Sequence, residues 1–192
     1  MGLTLKTAPA TEPLSLADAK LHLAVTTTDD DALITDYIAA ARSMLENQTR
    51  RAWITQTLVL TLPQFATTRI ELPRPVLQSV THVKYYPSDG GAQATLTEDT
   101  HYRVDTASTF GAIELVYGQS WPATIARHDA VEIEFVAGYG AAGSDVPPDL
   151  IQALKLALSE LYEPQMTDRR VLAMNALISG RKVHSATVFE GL

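Results

Sequence analysis

The sequence contains no cysteine. That excludes disulfides, thiolate nucleophiles and thiolate-ligated metals together. No apolar run approaches the roughly 20 residues needed to cross a bilayer. Residues 1–11 carry one lysine and no apolar stretch, so no secretory signal is expected. These absences predict a soluble chain made in the cytoplasm, with no membrane partner. Positive charge is also scarce, with 15 basic residues against 22 acidic ones for a net charge of −7. A protein built to grip nucleic-acid phosphates carries the opposite balance. Internal repeats and low-complexity tracts are absent as well.

What is present is a chain of 192 residues, 46% of them hydrophobic, enough to bury a core. The charge is uneven. From Gln165 onward four basic residues (Arg169, Arg170, Arg181, Lys182) face two acidic ones, leaving eleven basic against twenty acidic elsewhere. A basic tail on an acidic body suits docking on an acidic neighbour; a solvated tail is the plainer reading.

Periodicity divides the chain into helical flanks and a β-rich middle. Ser15-Leu16-Ala17-Asp18 has the form of a capping box opening a short helix to about Leu23. Thr28 or Asp29 is the expected cap of a second helix, from about Asp30 to Thr49. Its apolar stripe comprises Leu33, Ile34, Tyr37, Ile38, Ala41, Met44 and Leu45. After Trp53 the period changes to two. Gln56 to Leu62 alternates, the first of about seven short strands that run as far as Val136, with turn spacing that predicts a small antiparallel sandwich or barrel-like sheet. Pro147-Pro148 then opens a third helix with Leu150, Ile151, Leu154, Ala157, Leu158, Leu161 and Tyr162 on one stripe and Leu156 off it. A fourth helix is expected over Asp168 to Ile178. Val183 to Phe189 is β-prone.

The expected fold is therefore α+β. An antiparallel helical core of two to four helices is built from residues 14–52 and 147–178. A small antiparallel β domain, 53–140, is inserted in it, and 179–192 form an extended, flexible tail.

Catalytic signals are weak. Gly138-Tyr139-Gly140-Ala141-Ala142-Gly143 matches the dinucleotide fingerprint by letter, but Ser144 to Pro148 delay the helix whose N-terminus would meet a pyrophosphate. A glycine hinge is the better reading. The histidines at 22, 82, 101, 128 and 184 have no helical metal spacing. Asp29-Asp30-Asp31 lacks the alternation of a calcium loop. Ser120 and Ser144 have no nucleophile-elbow context. Glu132 and Glu134 share a strand face with the spacing of a paired-carboxylate site, and Glu114 alternates likewise on another strand; the wet face of a sheet explains all three. No catalytic residue, metal ligand or cofactor is assigned. Tyr85, Tyr86, Tyr117, Trp121 and Tyr139 suit either packing or a binding face.

Four stretches carry a family resemblance. They are Leu14-Ser15-Leu16-Ala17-Asp18-Ala19-Lys20 with Asp29 to Leu33; Ala39-Ala40-Ala41-Arg42 running into Arg51-Ala52-Trp53-Ile54-Thr55-Gln56-Thr57; Leu72-Pro73-Arg74-Pro75-Val76-Leu77-Gln78-Ser79-Val80; and Tyr117-Gly118-Gln119-Ser120-Trp121-Pro122 with Phe135-Val136-Ala137-Gly138-Tyr139-Gly140. In order and spacing the chain resembles the head–tail connector (adaptor) proteins of long-tailed bacteriophages and gene transfer agents. Its end is longer than that pattern, with Ser179-Gly180-Arg181-Lys182 after Leu177-Ile178.

The resemblance implies a virion structural protein made in the bacterial cytoplasm. It would form a ring, commonly a dodecamer, at the head–tail junction beneath the portal protein. A tail-side connector or terminator protein would bind its other face, and double-stranded DNA would pass through the channel without tight binding. Leu156 is the candidate ring-interface residue. Arg169, Arg170, Arg181, Lys182, Val183, Val188 and Phe189 are the candidate portal-docking tail, expected to lack order from Arg169 onward in the free subunit. Two other readings compete. One is a β-domain binding module for a carbohydrate or host protein, using Tyr85, Tyr86 and Trp121; the other is a hydrolase using Glu132 and Glu134.

Overall fold

The structure, a computed structural model, describes residues 2–65, 68–163 and 168–183. They divide into two compact units. One comprises residues 2–8 with Thr55–Gly138, and the other Pro9–Ile54 with 139–183.

The first unit holds two antiparallel sheets. Five strands run in the order β1 (Gly2–Thr7), β2 (Gln56–Leu62), β8 (Val131–Ala137), β4 (Leu77–Tyr85) and β5 (Ala94–Leu96). Three more run in the order β3 (Arg69–Glu71), β7 (Ala112–Leu115) and β6 (Tyr102–Asp105). The alternation in β2 sets its register. Leu58, Leu60 and Leu62 stand opposite Phe135, Ile133 and Val131 of β8, and all six side chains are buried. Cross-strand pairs on one face are the unit of sheet stability, and a one-residue slip would turn all three leucines outward. In the smaller sheet Ile113 plays the central part, with Ile70 on one side and Val104 on the other.

β1 is a departure from the expected organisation. The β unit is not wholly an insert, because the chain's first residues supply its edge strand, pairing Leu3 with Leu60 and Leu5 with Leu58. The alternation Leu3-Thr4-Leu5-Lys6 carries that signal in four residues, too few to stand out in a helix-length window.

The second unit holds four helices: α1 (Leu16–Leu23), α2 (Asp31–Thr49), α3 (Pro148–Tyr162) and α4 (Asp168–Ser179). The Ser15 cap forms, its Oγ accepting the Asp18 N–H at 3.1 Å. The Asp18 carboxylate accepts the Ser15 hydroxyl at 2.6 Å. The cap of α2 is Asp30 rather than Thr28 or Asp29, and its carboxylate makes no cap hydrogen bond. It accepts the Tyr162 hydroxyl at 2.7 Å instead. That bond ties the start of α2 to the end of α3, so the two helices run antiparallel.

The helical core gathers Ile34, Ile38, Ala41 and Leu45 of α2 with Leu150, Ala153, Leu154, Ala157 and Leu158 of α3. Trp53, with Leu14, Ala19, Ile54 and Val146, and from α4 Met174 and Ile178, join it. The expected α2 stripe is buried at Ile34, Ile38, Ala41 and Leu45 but not along its flank. Leu33 and Met44 are 42% and 38% exposed.

The glycine run after β8 is explained by close approach. A Cβ at Gly140 would collide with the Asp145 side chain, and one at Gly143 with the Pro13 carbonyl. Asp145 itself accepts the Ala142 N–H at 2.9 Å. A short 3-10 turn, Gly143–Asp145, then leads to α3. These glycines make room for a folded loop; they open no phosphate cradle.

Candidate functional site

The basic residues expected to act as a tail begin within the fold. α4 forms where the fourth helix was expected, over Asp168–Ser179, so the segment from Arg169 does not lack order as the tail reading expected, and the chain stays tied down to Val183. The Arg181 guanidinium grips Asp149 at the start of α3 with two bonds, of 2.8 Å and 3.2 Å. Hydrogen bonding to that carboxylate raises the arginine pKa above its ordinary value. The Arg181 carbonyl accepts Arg51 Nε at 2.7 Å. The Val183 N–H donates to the Thr49 carbonyl at 3.1 Å, at the end of α2. Lys182 is exposed. Expectation failed here because the partners Asp149 and Thr49 lie far off in sequence. Val188, Phe189 and the side chain of Arg169 lie outside the described residues.

Leu156 lies half-buried against the helical core. It lines a cavity of about 560 Å³ with His22, Leu23, Ser159, Tyr162 and Arg170. Two groups in the wall are already engaged: His22 Nε2 with Ser159 Oγ at 3.0 Å, and the Tyr162 hydroxyl with Asp30. The structure thus brings Leu156 and Arg170 to one concavity, and places Arg181 to Val183 by the end of α2 and the start of α3.

The residues weighed for catalysis are committed to pairs. Lys6 Nζ lies 2.5 Å from Glu134 Oε2. His82 Nε2 lies 3.0 Å from Glu132 Oε1 and 3.7 Å from Glu134 Oε2. A network of this kind zips β1, β4 and β8 across one face of the sheet. Glu114 pairs with Arg69, which also bonds Asp105. Among the described residues no group of histidines and carboxylates has metal-binding geometry, and no helix is long and apolar enough to cross a membrane.

The aromatic residues do not form one solvent-facing platform. Phe65, which sequence reasoning passed over, stacks on Trp121 with centroids 4.5 Å apart and meets Tyr85 edge-on at 6.1 Å. This half-buried trio is internal packing of the β unit. The Arg127 guanidinium covers the Tyr86 ring at 4.1 Å. Tyr139 packs on the helical core. Tyr117 alone of the set is fully exposed.

Comparison with known proteins complements this geometry. Residues 13–106 match the sequence pattern of the family described as phage gp6-like head–tail connector protein. The fold is similar to a chain in the neck of an empty GTA particle computed with C6 symmetry, with a TM-score of 0.81 and 27% identity over 97% of both chains. It is similar also to a chain of the virion of a native gene transfer agent particle, with a TM-score of 0.79 and 26% identity over 97% of both chains. A third similar chain comes from the neck of a native GTA particle computed with C12 symmetry, with a TM-score of 0.77, 26% identity and the same coverage. No curated protein sequence is significantly similar to the chain.

Proposed function

We infer that this chain is a head–tail connector protein of the phage gp6-like kind, a structural subunit of the head–tail junction of a phage-like particle. The observation that carries the reading is the match to neck chains over 97% of both partners, which takes in both compact units.

The particle necks that contain similar chains have sixfold and twelvefold symmetry. The corresponding proposal for this chain is a closed ring, with twelve copies as the expected number. Each copy in such a ring meets its neighbour through two different surfaces related by rotation. Leu156, in its concavity between α1, α3 and α4, remains a proposed contact in that ring.

The portal protein and a tail-side connector or terminator are the proposed partners above and below. Arg170 and Lys182, with Arg169, Val188 and Phe189, are the proposed portal-docking residues. Arg181 and Val183 serve that role by anchoring the segment's base through Asp149 and Thr49. Double-stranded DNA would pass through the ring without being held, because a body with nine net negative charges outside the tail repels phosphates. The protein would act by binding alone, a reading supported by the ion pairs that occupy Glu132, Glu134 and Glu114.

Deleting the gene in a particle-producing strain tests the reading. The expected result is DNA-filled heads and separate tails. Complete infectious or transducing particles from the deletion strain would overturn it. Removing Lys182 to Leu192 alone tests the docking proposal. Unchanged attachment of the shortened chain to portal-bearing heads would refute that part.

A further inference from the structure

α2 carries more apolar surface than its own unit covers. Leu33, Tyr37, Ala40 and Met44 follow one another at i, i+4, i+7 and i+11, a single helical stripe about 16 Å long. Tyr37 leans on the core, whereas Leu33, Ala40 and Met44 lie exposed along the flank of the buried face. No side chain of the stripe carries a charge at neutral pH.

A second face of the same kind lies on α4. Met174 and Ile178 hold that helix to the core. Leu172, Ala176 and Ser179, spaced at i, i+4 and i+7, stand exposed on its outer side, Leu172 at 68%. These residues too are uncharged. By contrast Leu21, the most exposed leucine of α1, edges a shallow hollow rimmed by the Lys20–Asp31 ion pair. Covering that hollow would dehydrate charge.

We propose that the Leu33–Tyr37–Ala40–Met44 stripe of α2 in one copy is covered by the Leu172–Ala176 face of α4 in the next copy, forming the helical part of the ring contact. The inference rests on the ring reading above. A ring requires two unlike, mutually complementary faces on each chain, because a face that paired with its own equivalent would stop at a dimer. These two faces meet that requirement. Helices pack when side chains of one enter the gaps of the other. Ala40 leaves such a gap between Leu33 and Met44, and Ala176 leaves one beside Leu172.

The absence of cysteine permits a direct test. Met44→Cys and Leu172→Cys chains are made separately and then co-expressed in particle-producing cells. The particles are treated with a bismaleimide able to span packed helices, whose axes stand about 8–10 Å apart. A parallel sample receives an amine-reactive crosslinker. The expected result is a dimer of the chain in mixed particles, about tenfold above the level with either variant alone, beside an amine-crosslinked ladder of higher multimers. Mixing two single variants prevents a link within one chain from mimicking the result. An amine ladder without the mixed thiol dimer would overturn this interface and leave the ring standing. A thiol dimer from Met44→Cys alone, or a link from either site to a different protein, would overturn it equally. Loss of the amine ladder in unmodified particles would remove the ring reading itself.

Discussion

The carboxylate of Glu46 accepts the backbone N–H of Trp53 at 2.7 Å. The residues between them include Arg50, which ends α2 in the left-handed conformation at φ 55°. The bond folds the chain back under its own helix and seats the indole in the core. The other Glu46 oxygen takes Arg42 Nη1 at 2.9 Å. Arg42 also grips Glu12 through Nε at 2.7 Å and Nη2 at 3.1 Å. Burial works against the Arg42 charge, but its bonds to Glu12 and the nearby Glu46 charge outweigh that and raise its pKa. Glu46 is thus a buried carboxylate with both oxygens occupied.

Glu46→Ala is therefore expected to destabilise the protein by about 3 kcal/mol, because it leaves the Trp53 amide and one side of a buried guanidinium without a partner. Glu46→Gln keeps an acceptor for the amide and costs less. Urea unfolding of both variants checks the order; equal midpoints for Ala and wild type would refute it.

Where partners were near in sequence, the structure was legible in advance. The Ser15 cap, the β2 alternation and the proline start of α3 each depend on residues within a few positions. Long-range partners were invisible. Asp30 stands at the cap of α2 without a side-chain cap bond, because its carboxylate is taken by the Tyr162 hydroxyl from 132 residues away. Arg181 read as tail because nothing local identifies Asp149 as its partner. The exposure of Leu33 and Met44 on the α2 stripe was not legible either, because periodicity records which face is apolar and says nothing of what covers it. That exposed flank is the surface that a neighbouring copy is proposed to cover.

The Arg181–Asp149 pair is about one-third exposed on each side, so solvent screens it and its effect on global stability is small, about 0.5 kcal/mol. Its local effect is larger. Asp149→Asn is expected to speed hydrogen exchange at the Lys182 and Val183 amides, bonded to Ile178 and Thr49, while the urea midpoint barely moves. Unchanged exchange at Val183 would show that the Thr49 bond holds the segment without the ion pair.

Asp105 links stability to acid. Its carboxylate accepts the Ser108 hydroxyl at 2.5 Å, Arg69 Nη2 at 2.9 Å, and the Ser108 and Ala107 amides. These bonds, the Ser108 hydroxyl foremost, hold its pKa well below the usual carboxylate value. The folded state then binds this proton more weakly than the unfolded one. The stabilisation is present above the unfolded pKa of about 3.9 and fades as pH falls below it. Asp105→Asn should lower the unfolding midpoint at neutral pH and flatten the decline between about pH 4 and about pH 2, so that the two curves converge in acid. Parallel curves would refute the assignment.

Gly140 and Asp145 supply a test of the loop that imitates a nucleotide fingerprint. If Gly140 is needed only because Asp145 fills the space a Cβ would occupy, Gly140→Ala should destabilise by about 1–3 kcal/mol through overpacking. Asp145→Ala alone should cost about 1 kcal/mol, the worth of its bond to the Ala142 amide. In the double variant the methyl group enters the space the carboxylate has left. Its cost should therefore fall below the sum of the two single costs by about 1 kcal/mol or more, as expected for residues in direct contact. Additive costs would mean that Gly140 is required for a reason other than this contact. Because both substitutions lie in the loop before α3, the cycle can be read by urea unfolding of the purified chain, independently of whether the ring assembles.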